Sequence, residues 1–311
     1  MNRRIGSSDL EVAPIALGGN VFDWTADEAA SFAVLDAFVD AGGAMIDTAD
    51  VYSAWVPGHM GGESEALIGR WLKRDPAKRS QVVIATKVGY SAGLTPDTIA
   101  PSCEASLVRI GIDRIDLYYQ HKDDPSVPLA ESLGVFDELR RSGKIDAIGL
   151  SNFTPDRVEE ALSVSIDHGF DQPTALQNWY NMVEREKFEG PLQDVALNRG
   201  LSFFPYYSLA NGFLTGKYRS GADLGKSPRG SRSAEYLESD RGRKVLDALD
   251  DVAAQTGAAV ATVALAWTKA QPGVTAPIAS ATSATQAGEL VAALTLDLSP
   301  GQIEQLNQAS A

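Results

Sequence analysis

Ile46-Asp47-Thr48-Ala49-Asp50-Val51-Tyr52-Ser53 puts an acid at the end of the short apolar run Ala44-Met45-Ile46, with a tyrosine five residues further on. The run has the length and content of a buried strand, and the residues after it fit neither a strand nor a helix pattern. The arrangement recurs. Val82-Val83-Ile84-Ala85-Thr86 ends in Lys87, and Ile115-Asp116-Leu117-Tyr118-Tyr119-Gln120 ends in His121. Buried runs that each end in a titratable side chain suit a barrel of parallel strands, which carries its chemistry at the C-terminal strand ends. Asp, Tyr, Lys and His together make a proton-transfer set.

Strand-like and helix-like segments alternate outward from this stretch. Arg3-Arg4-Ile5 and Leu10-Glu11-Val12 flank the polar turn Gly6-Ser7-Ser8-Asp9, which predicts a leading hairpin. Further strands are predicted at Pro14–Gly18, Ile145–Leu150, Thr174–Gln177, Leu201–Phe204 and Val274–Ile278. Phe32, Leu35, Phe38 and Val39 give 27–41 a helical spacing, with Thr25 and Glu28 reading as a capping box. Ser283 and Gln286 read as a second box, and Thr95-Pro96, Thr154-Pro155 and Ser299-Pro300 each put a cap residue before a first-turn proline. Eight strands, each followed by at least one helix, imply an α/β fold: a single (β/α)8 TIM barrel over residues 1–311 with an N-terminal β-hairpin. The stretch from Asn211 to Asp240, rich in Gly, Ser and Arg, reads as a long functional or mobile loop after strand seven.

A hydrophobic fraction of 44% is enough for a large core, and the net charge of -14 disfavours a nucleic-acid or anionic-membrane partner. Cys103 is the only cysteine, so no internal disulfide is possible; it reads as a packed helical thiol. Arg3 and Arg4 are not followed by the apolar stretch of a signal peptide, and no segment approaches the roughly 20 apolar residues of a membrane span. A cytoplasmic location is expected.

In the proton-transfer set, a tyrosine hydroxyl with a reference pKa of about 10 is a proton donor at neutral pH. Lys87 is expected to lower the Tyr52 pKa, Asp47 to keep Lys87 charged and oriented, and His121 to hydrogen-bond the reacting oxygen. Such a site suits carbonyl reduction better than hydrolysis, because the sequence offers neither an activated Ser or Cys triad nor a metal cluster. Lys87 at a strand end also suits a Schiff-base lyase. Tyr118 and Tyr119 read as packing, His168 as a helix-end residue, and His59 as either packing or substrate-facing. Trp24, Trp55 and Trp179 follow strand ends on the active side, where aromatic walls suit an apolar or sugar-ring substrate; Trp24 and Trp55 are the substrate-binding candidates.

The chain resembles the aldo-keto reductases. Asp47-Thr48-Ala49-Asp50-Val51-Tyr52, Gly62-Glu63-Ser64-Glu65, Lys87, Gln120-His121, Gly149-Leu150-Ser151-Asn152-Phe153 and Gly212-Phe213-Leu214-Thr215-Gly216-Lys217 match that family's pattern in order, from the leader to about Ala293. The resemblance implies a (β/α)8 barrel that passes a hydride between NAD(P) and a small aldehyde, ketone or sugar-like carbonyl or alcohol. Tyr52 would be general acid/base, supported by Asp47, Lys87 and His121. It also implies that Ser151, Asn152 and Gln177 grip the nicotinamide carboxamide and that Tyr206 stacks on the ring. Leu209, Gly212, Leu214 and Lys217 would cover the pyrophosphate. The family usually places Lys or Arg just after the last strand to hold a 2′-phosphate. Here neither occurs after Lys269. Ser280, Thr282 and the helix start at Ser283–Gln286 offer neutral donors in their place, with Arg229 or Arg232 of the long loop as a source of charge. NADP(H) is expected over NAD(H). The resemblance leaves room for a nicotinamide-binding sensor or accessory subunit with little turnover.

Overall fold

The computed structural model describes residues 2–311. The leading hairpin pairs β1 (Arg3–Arg4) with β2 (Glu11–Val12), Arg3 opposite Val12. The next eight strands are β3 (Ala16–Gly18), β4 (Met45–Asp47), β5 (Val83–Val88), β6 (Ile115–Gln120), β7 (Ile145–Ser151), β8 (Ala175–Gln177), β9 (Ser202–Phe203) and β10 (Ile278–Ala279). They form one parallel sheet in the order β10-β3-β4-β5-β6-β7-β8-β9. Its outer strands meet through a Phe203–Val274 bridge and two hydrogen bonds, Thr275 N to Phe203 O and Ile278 N to Pro205 O, each 2.8 Å. The sheet thus curls onto itself as an α/β TIM-type barrel, with the hairpin as an appendage.

Side chains alternate across each strand. Ile46, Ile84, Tyr118 and Ile148 point outward, where they pack beneath the surrounding helices. Met45, Val83, Ala85, Leu117, Ala147 and Ala175 point inward and meet Ile5 and Val12 of the hairpin in a wholly buried cluster. The hairpin is held against this end by hydrogen bonds. Arg3 Nη1 donates to the carbonyls of Val274 and Thr275, and Gly6 N donates to Ser202 Oγ. Further along the same inward faces, the apolar side chains give way to Asp47, Lys87, Ser151 and Gln177.

Helices begin at all three predicted prolines, but only two of the caps bond: Thr95 Oγ1 meets Thr98 Oγ1 at 3.0 Å instead of a backbone N–H. Thr154 accepts from Arg157 N, and Ser299 makes a complete box with Gln302. Two boxes differ from the sequence reading. The first helix runs Glu28–Asp40 with Asp27 as its cap, because Thr25 and Ala26 are held in a turn by Val21 O. Ser283 accepts from Gln286 N, but the Gln286 side chain accepts from Thr282 N instead of returning to Ser283. Cys103 is buried in the helix Pro96–Ile110, and burial pushes its thiol up to about 12. The long segment after β9 is not structureless: short 3-10 turns at Ala210–Thr215, Gly221–Lys226 and Gly230–Ser233 lead into the helices Ala234–Glu238 and Asp240–Thr256. Among the described residues no helix is long and apolar enough to cross a membrane.

Candidate active site

Asp47 ends β4, Lys87 lies one residue before the end of β5, His121 comes directly after β6, and Tyr52 sits on the loop after β4. The structure brings all of them together. Lys87 is wholly buried, and its ammonium donates to Asp47 Oδ2 at 2.8 Å, to Thr48 O at 2.7 Å and to Tyr52 Oη at 3.0 Å. Its three N–H groups are therefore all engaged. Asp47 also accepts from Gln177 Nε2 at 2.8 Å on its other oxygen, and Tyr52 Oη lies 3.5 Å from Asp47 Oδ2. Ser53, in a left-handed conformation at φ 72°, donates to Phe22 O and ties down the loop that presents Tyr52.

The charges do not act as the sequence suggested. Burial first, and the Asp47 carboxylate second, hold the Tyr52 phenol well above its usual range despite the adjacent Lys87. Desolvation of the Lys87 ammonium lowers its own pKa against the pull of Asp47. The residue pair is visible in a sequence; the water it loses on folding is not. Burial, then Lys87, lowers His121 well below the imidazole range, so His121 is neutral at pH 7. Its Nδ1 is buried with no partner among the described residues.

Three neighbours lay outside the sequence-based set. Tyr90, on the loop after β5, packs on His121 with centroids 4.8 Å apart. Tyr207, left-handed at φ 56°, sets its ring edge-on to Trp179 at 4.6 Å. Asp50 lies two residues before Tyr52, with Oδ1 buried and unpartnered, and burial followed by the Glu65 charge pushes its carboxyl up to about 6. Glu65 is itself buried, accepting from Thr86 Oγ1 at 2.5 Å and Arg109 Nε at 2.6 Å. A tyrosine just past a strand end was the available signal for Tyr90. Trp55 lies edge-on to Tyr52 at 6.1 Å and to Trp24 at 5.5 Å, so Trp55 flanks the tyrosine and Trp24 stands behind Trp55. Trp179 Nε1 and His59 Nδ1 are buried without partners among the described residues, whereas His168 stacks on Phe170 at a helix end. Tyr118 and Tyr119 are buried in the core.

Against known proteins, the profile described as Aldo/keto reductase family matches residues 14–311. The chain belongs to the aldo/keto reductase family. It is similar to the uncharacterized oxidoreductase YrpG of Bacillus subtilis (31% identity, covering 97% of this chain and 94% of that one). Protein tas of Escherichia coli is 30% identical, with 98% and 97% covered. A putative voltage-gated potassium channel subunit beta of Schizosaccharomyces pombe is 32% identical, with 94% and 87% covered. As an aldo-keto reductase, the protein belongs to a family of nicotinamide-dependent carbonyl oxidoreductases.

The remaining residues of this aldo-keto reductase can be tested for fit to a dinucleotide. Ser151 and Gln177 face each other across β7 and β8. Asn152, held at φ 59°, donates to His121 O at 2.9 Å and accepts from Tyr206 Oη at 2.6 Å. A hydroxyl and two amides thus converge beside an aromatic face, the donor and acceptor set a carboxamide requires. The Lys217 ammonium has no carboxylate partner among the described residues and lies 5.0 Å above the Tyr218 ring. Beside it Gly212, at φ +95°, leaves open the space a Cβ would fill 3.0 Å from Lys217 Nζ. The buried Asn211 Oδ1 has no partner among the described residues. These features fit the group. Leu209 is only partly buried between two core clusters, and the Leu214 side chain is wholly buried, so Leu214 can offer only its backbone. Beyond β10, Ser280 donates to Asn20 Oδ1 at 2.6 Å, and Thr282 donates to Gln286 Oε1 through N at 2.9 Å and Oγ1 at 3.1 Å. These donors are satisfied within the protein, with no cation among them.

Proposed function

We propose that this chain is a single catalytic domain that reduces a small aldehyde, ketone or sugar-like carbonyl, and oxidises the corresponding alcohol in reverse, with Tyr52 as general acid/base. The observation that carries the reading is the 3.0 Å Lys87–Tyr52 contact on a lysine fixed at 2.8 Å by Asp47. A bound nicotinamide would supply the hydride that reduces the carbonyl carbon. The chain's own residues do the rest. Lys87 donates into the Tyr52 oxygen, while the Tyr52 hydroxyl donates only over a long 3.5 Å to Asp47 Oδ2, a bond it would exchange for the substrate oxygen; the raised pKa keeps that proton in place until an oxyanion develops. Lys87 then neutralises the phenolate, Asp47 keeps Lys87 charged, and neutral His121 donates a hydrogen bond to the reacting oxygen. Trp24 and Trp55 supply an apolar wall for the substrate.

For the cofactor, Ser151, Asn152, Gln177 and Tyr206 would hold the nicotinamide, with Lys217 and the backbone from Leu209 to Leu214 on the pyrophosphate. NADP(H) over NAD(H) is the reading for Ser280, Thr282 and Gln286, which would exchange their present bonds for a 2′-phosphate at a helix start. Titrating tryptophan fluorescence with NADPH and NADH tests this: tighter NADPH binding is expected, and an NADH preference would overturn it.

Tyr52→Phe should lower turnover by roughly 10²- to 10⁴-fold while the cofactor Kd moves less than about twofold. Undiminished turnover would sink the assignment. A second reading, a nicotinamide-binding sensor or subunit, draws on the fission-yeast relative's name alone. Tight cofactor binding without reduction of any carbonyl tried would favour it. The Schiff-base alternative gains nothing from the geometry, because attack would require Lys87 to lose a proton and leave at least one of its contacts to Asp47, Thr48 and Tyr52.

A further inference from the structure

Arg229 stands apart from every other arginine of the chain. The side chain of each of the others makes a hydrogen bond or ion pair, whereas the Arg229 guanidinium makes neither among the described residues. Its own segment shows that partners were available: Arg219 pairs with both oxygens of Asp250 at 2.7 Å, and Lys226 pairs with Asp223 at 2.7 Å. In a chain of net charge -14, a half-buried guanidinium without a carboxylate is an exception that costs solvation. Burial lowers the Arg229 pKa, and the groups acting on it are two tyrosines, Tyr207 and Tyr218, and a second cation, Arg232.

Its position points to the cleft. The guanidinium lies 5.8 Å from the Trp24 ring, which touches Trp55, which in turn touches Tyr52. Tyr207 lies beside the same segment, its Oη 3.4 Å from Arg232 Nη1. The segment that carries the side chain is also held in place. Gly230 packs so tightly that a Cβ there would fall 2.0 Å from Leu224 O; Gly230 N donates to Ser227 O, and Ser227 Oγ bonds Tyr218 Oη at 2.6 Å. A partly desolvated cation on a fixed segment, beside the aromatic cluster that reaches Tyr52, is a preorganised anion site.

We propose that Arg229 is a specificity-determining residue, binding a carboxylate or phosphate at the far end of the substrate whose carbonyl lies at Tyr52. The inference rests on the reductase reading and names the substrate class within it: carbonyl compounds with a distal anionic group. Arg232, whose Nη1 lies 3.4 Å from Tyr207 Oη, is engaged with that tyrosine and is left to the tyrosine's side of the rim.

The test uses 4-formylbenzoate and the longer 4′-formylbiphenyl-4-carboxylate, each against its neutral methyl ester. Wild type should favour at least one acid over its ester in kcat/KM. Arg229→Gln should cut that preference by on the order of 10- to 100-fold, mostly through KM, and Arg229→Lys should restore part of it. Equal losses on acid and ester, or no acid preference in the wild type, would overturn the proposal. A drop in NADPH affinity larger than the loss of acid preference would also overturn it, by assigning the arginine to a cofactor phosphate. Calorimetric titration with terephthalate and its dimethyl ester decides the matter without turnover. Diacid binding that Arg229→Gln abolishes supports the site even if neither aldehyde is reduced, an outcome that would count against the reductase reading alone; diacid binding unaltered in the variant refutes the site.

Discussion

The two ends of the barrel are built from the same strands and the same inward faces, yet they bury opposite chemistry. At the hairpin end, Met45, Val83, Leu117 and Ala147 fill the interior with hydrocarbon. At the other end stand Asp47 and Lys87, with His121 just past β6 and Asn152 just past β7. The first end is stabilised by removing apolar area from water at roughly 25 cal/mol per Å². The second holds ions out of water, which is tolerable only while each keeps its partner. Between Met45 and Asp47, what stabilises the fold and what strains it are separated by one step of strand periodicity.

The strongest way to break this contrast is Lys87→Met. It leaves Asp47 buried with no counter-charge, so we expect a stability loss of about 3–5 kcal/mol by urea unfolding, along with a fall in turnover of about 10³-fold or more. Adding Asp47→Asn should return most of the stability and none of the turnover; a single variant as stable as wild type would refute the paired-ion account. Next in size, Leu117→Ala at the apolar end should cost about 2–5 kcal/mol while kcat/KM at 25 °C stays within about threefold. A large kinetic defect there would show that the two ends are not separable.

Asp50 sharpens the comparison, being a carboxyl at the active end with no partner on Oδ1. Its folded pKa is raised to about 6 from 3.8, so the folded state holds a proton that the unfolded chain has released between those values. This contribution therefore lowers stability as pH rises through the window, and the penalty is complete above about pH 6. Asp50→Asn should stabilise the protein by up to about 3 kcal/mol at pH 7.5, with the gain fading toward pH 4. Unfolding curves at both pH values measure it, and a gain independent of pH would mean that titration is not its source.

Much of this was legible from residue order. Apolar runs ending in Asp47, Lys87 and His121 disclosed both the parallel strands and the end of the barrel where these side chains meet, because a strand's period puts alternate residues on one face. The caps at Thr154 and Ser299 were equally plain, being local bonds between residues three apart. What stayed hidden depends on backbone conformation and on chain returning from elsewhere. The helix at Glu28 takes Asp27 as its cap, not the Thr25 of the expected box, because Val21 O holds the preceding turn. Tyr207 and Asn152 reach the cleft through left-handed backbone that their residue types do not announce. Tyr52 next to Lys87 looked like a pair that lowers a pKa; the opposite direction comes from burial, which no spacing reveals.

The hairpin carries a last consequence. With Ile5 and Val12 seated in the apolar cluster and Arg3 bonded across the segment leading into β10, the barrel is a vessel sealed at its base. The Asp47–Lys87 floor faces the opposite end, where Trp55 lies edge-on to Tyr52 and Tyr90 packs on His121. Whichever molecule rests deepest is therefore the first to enter and the last to leave.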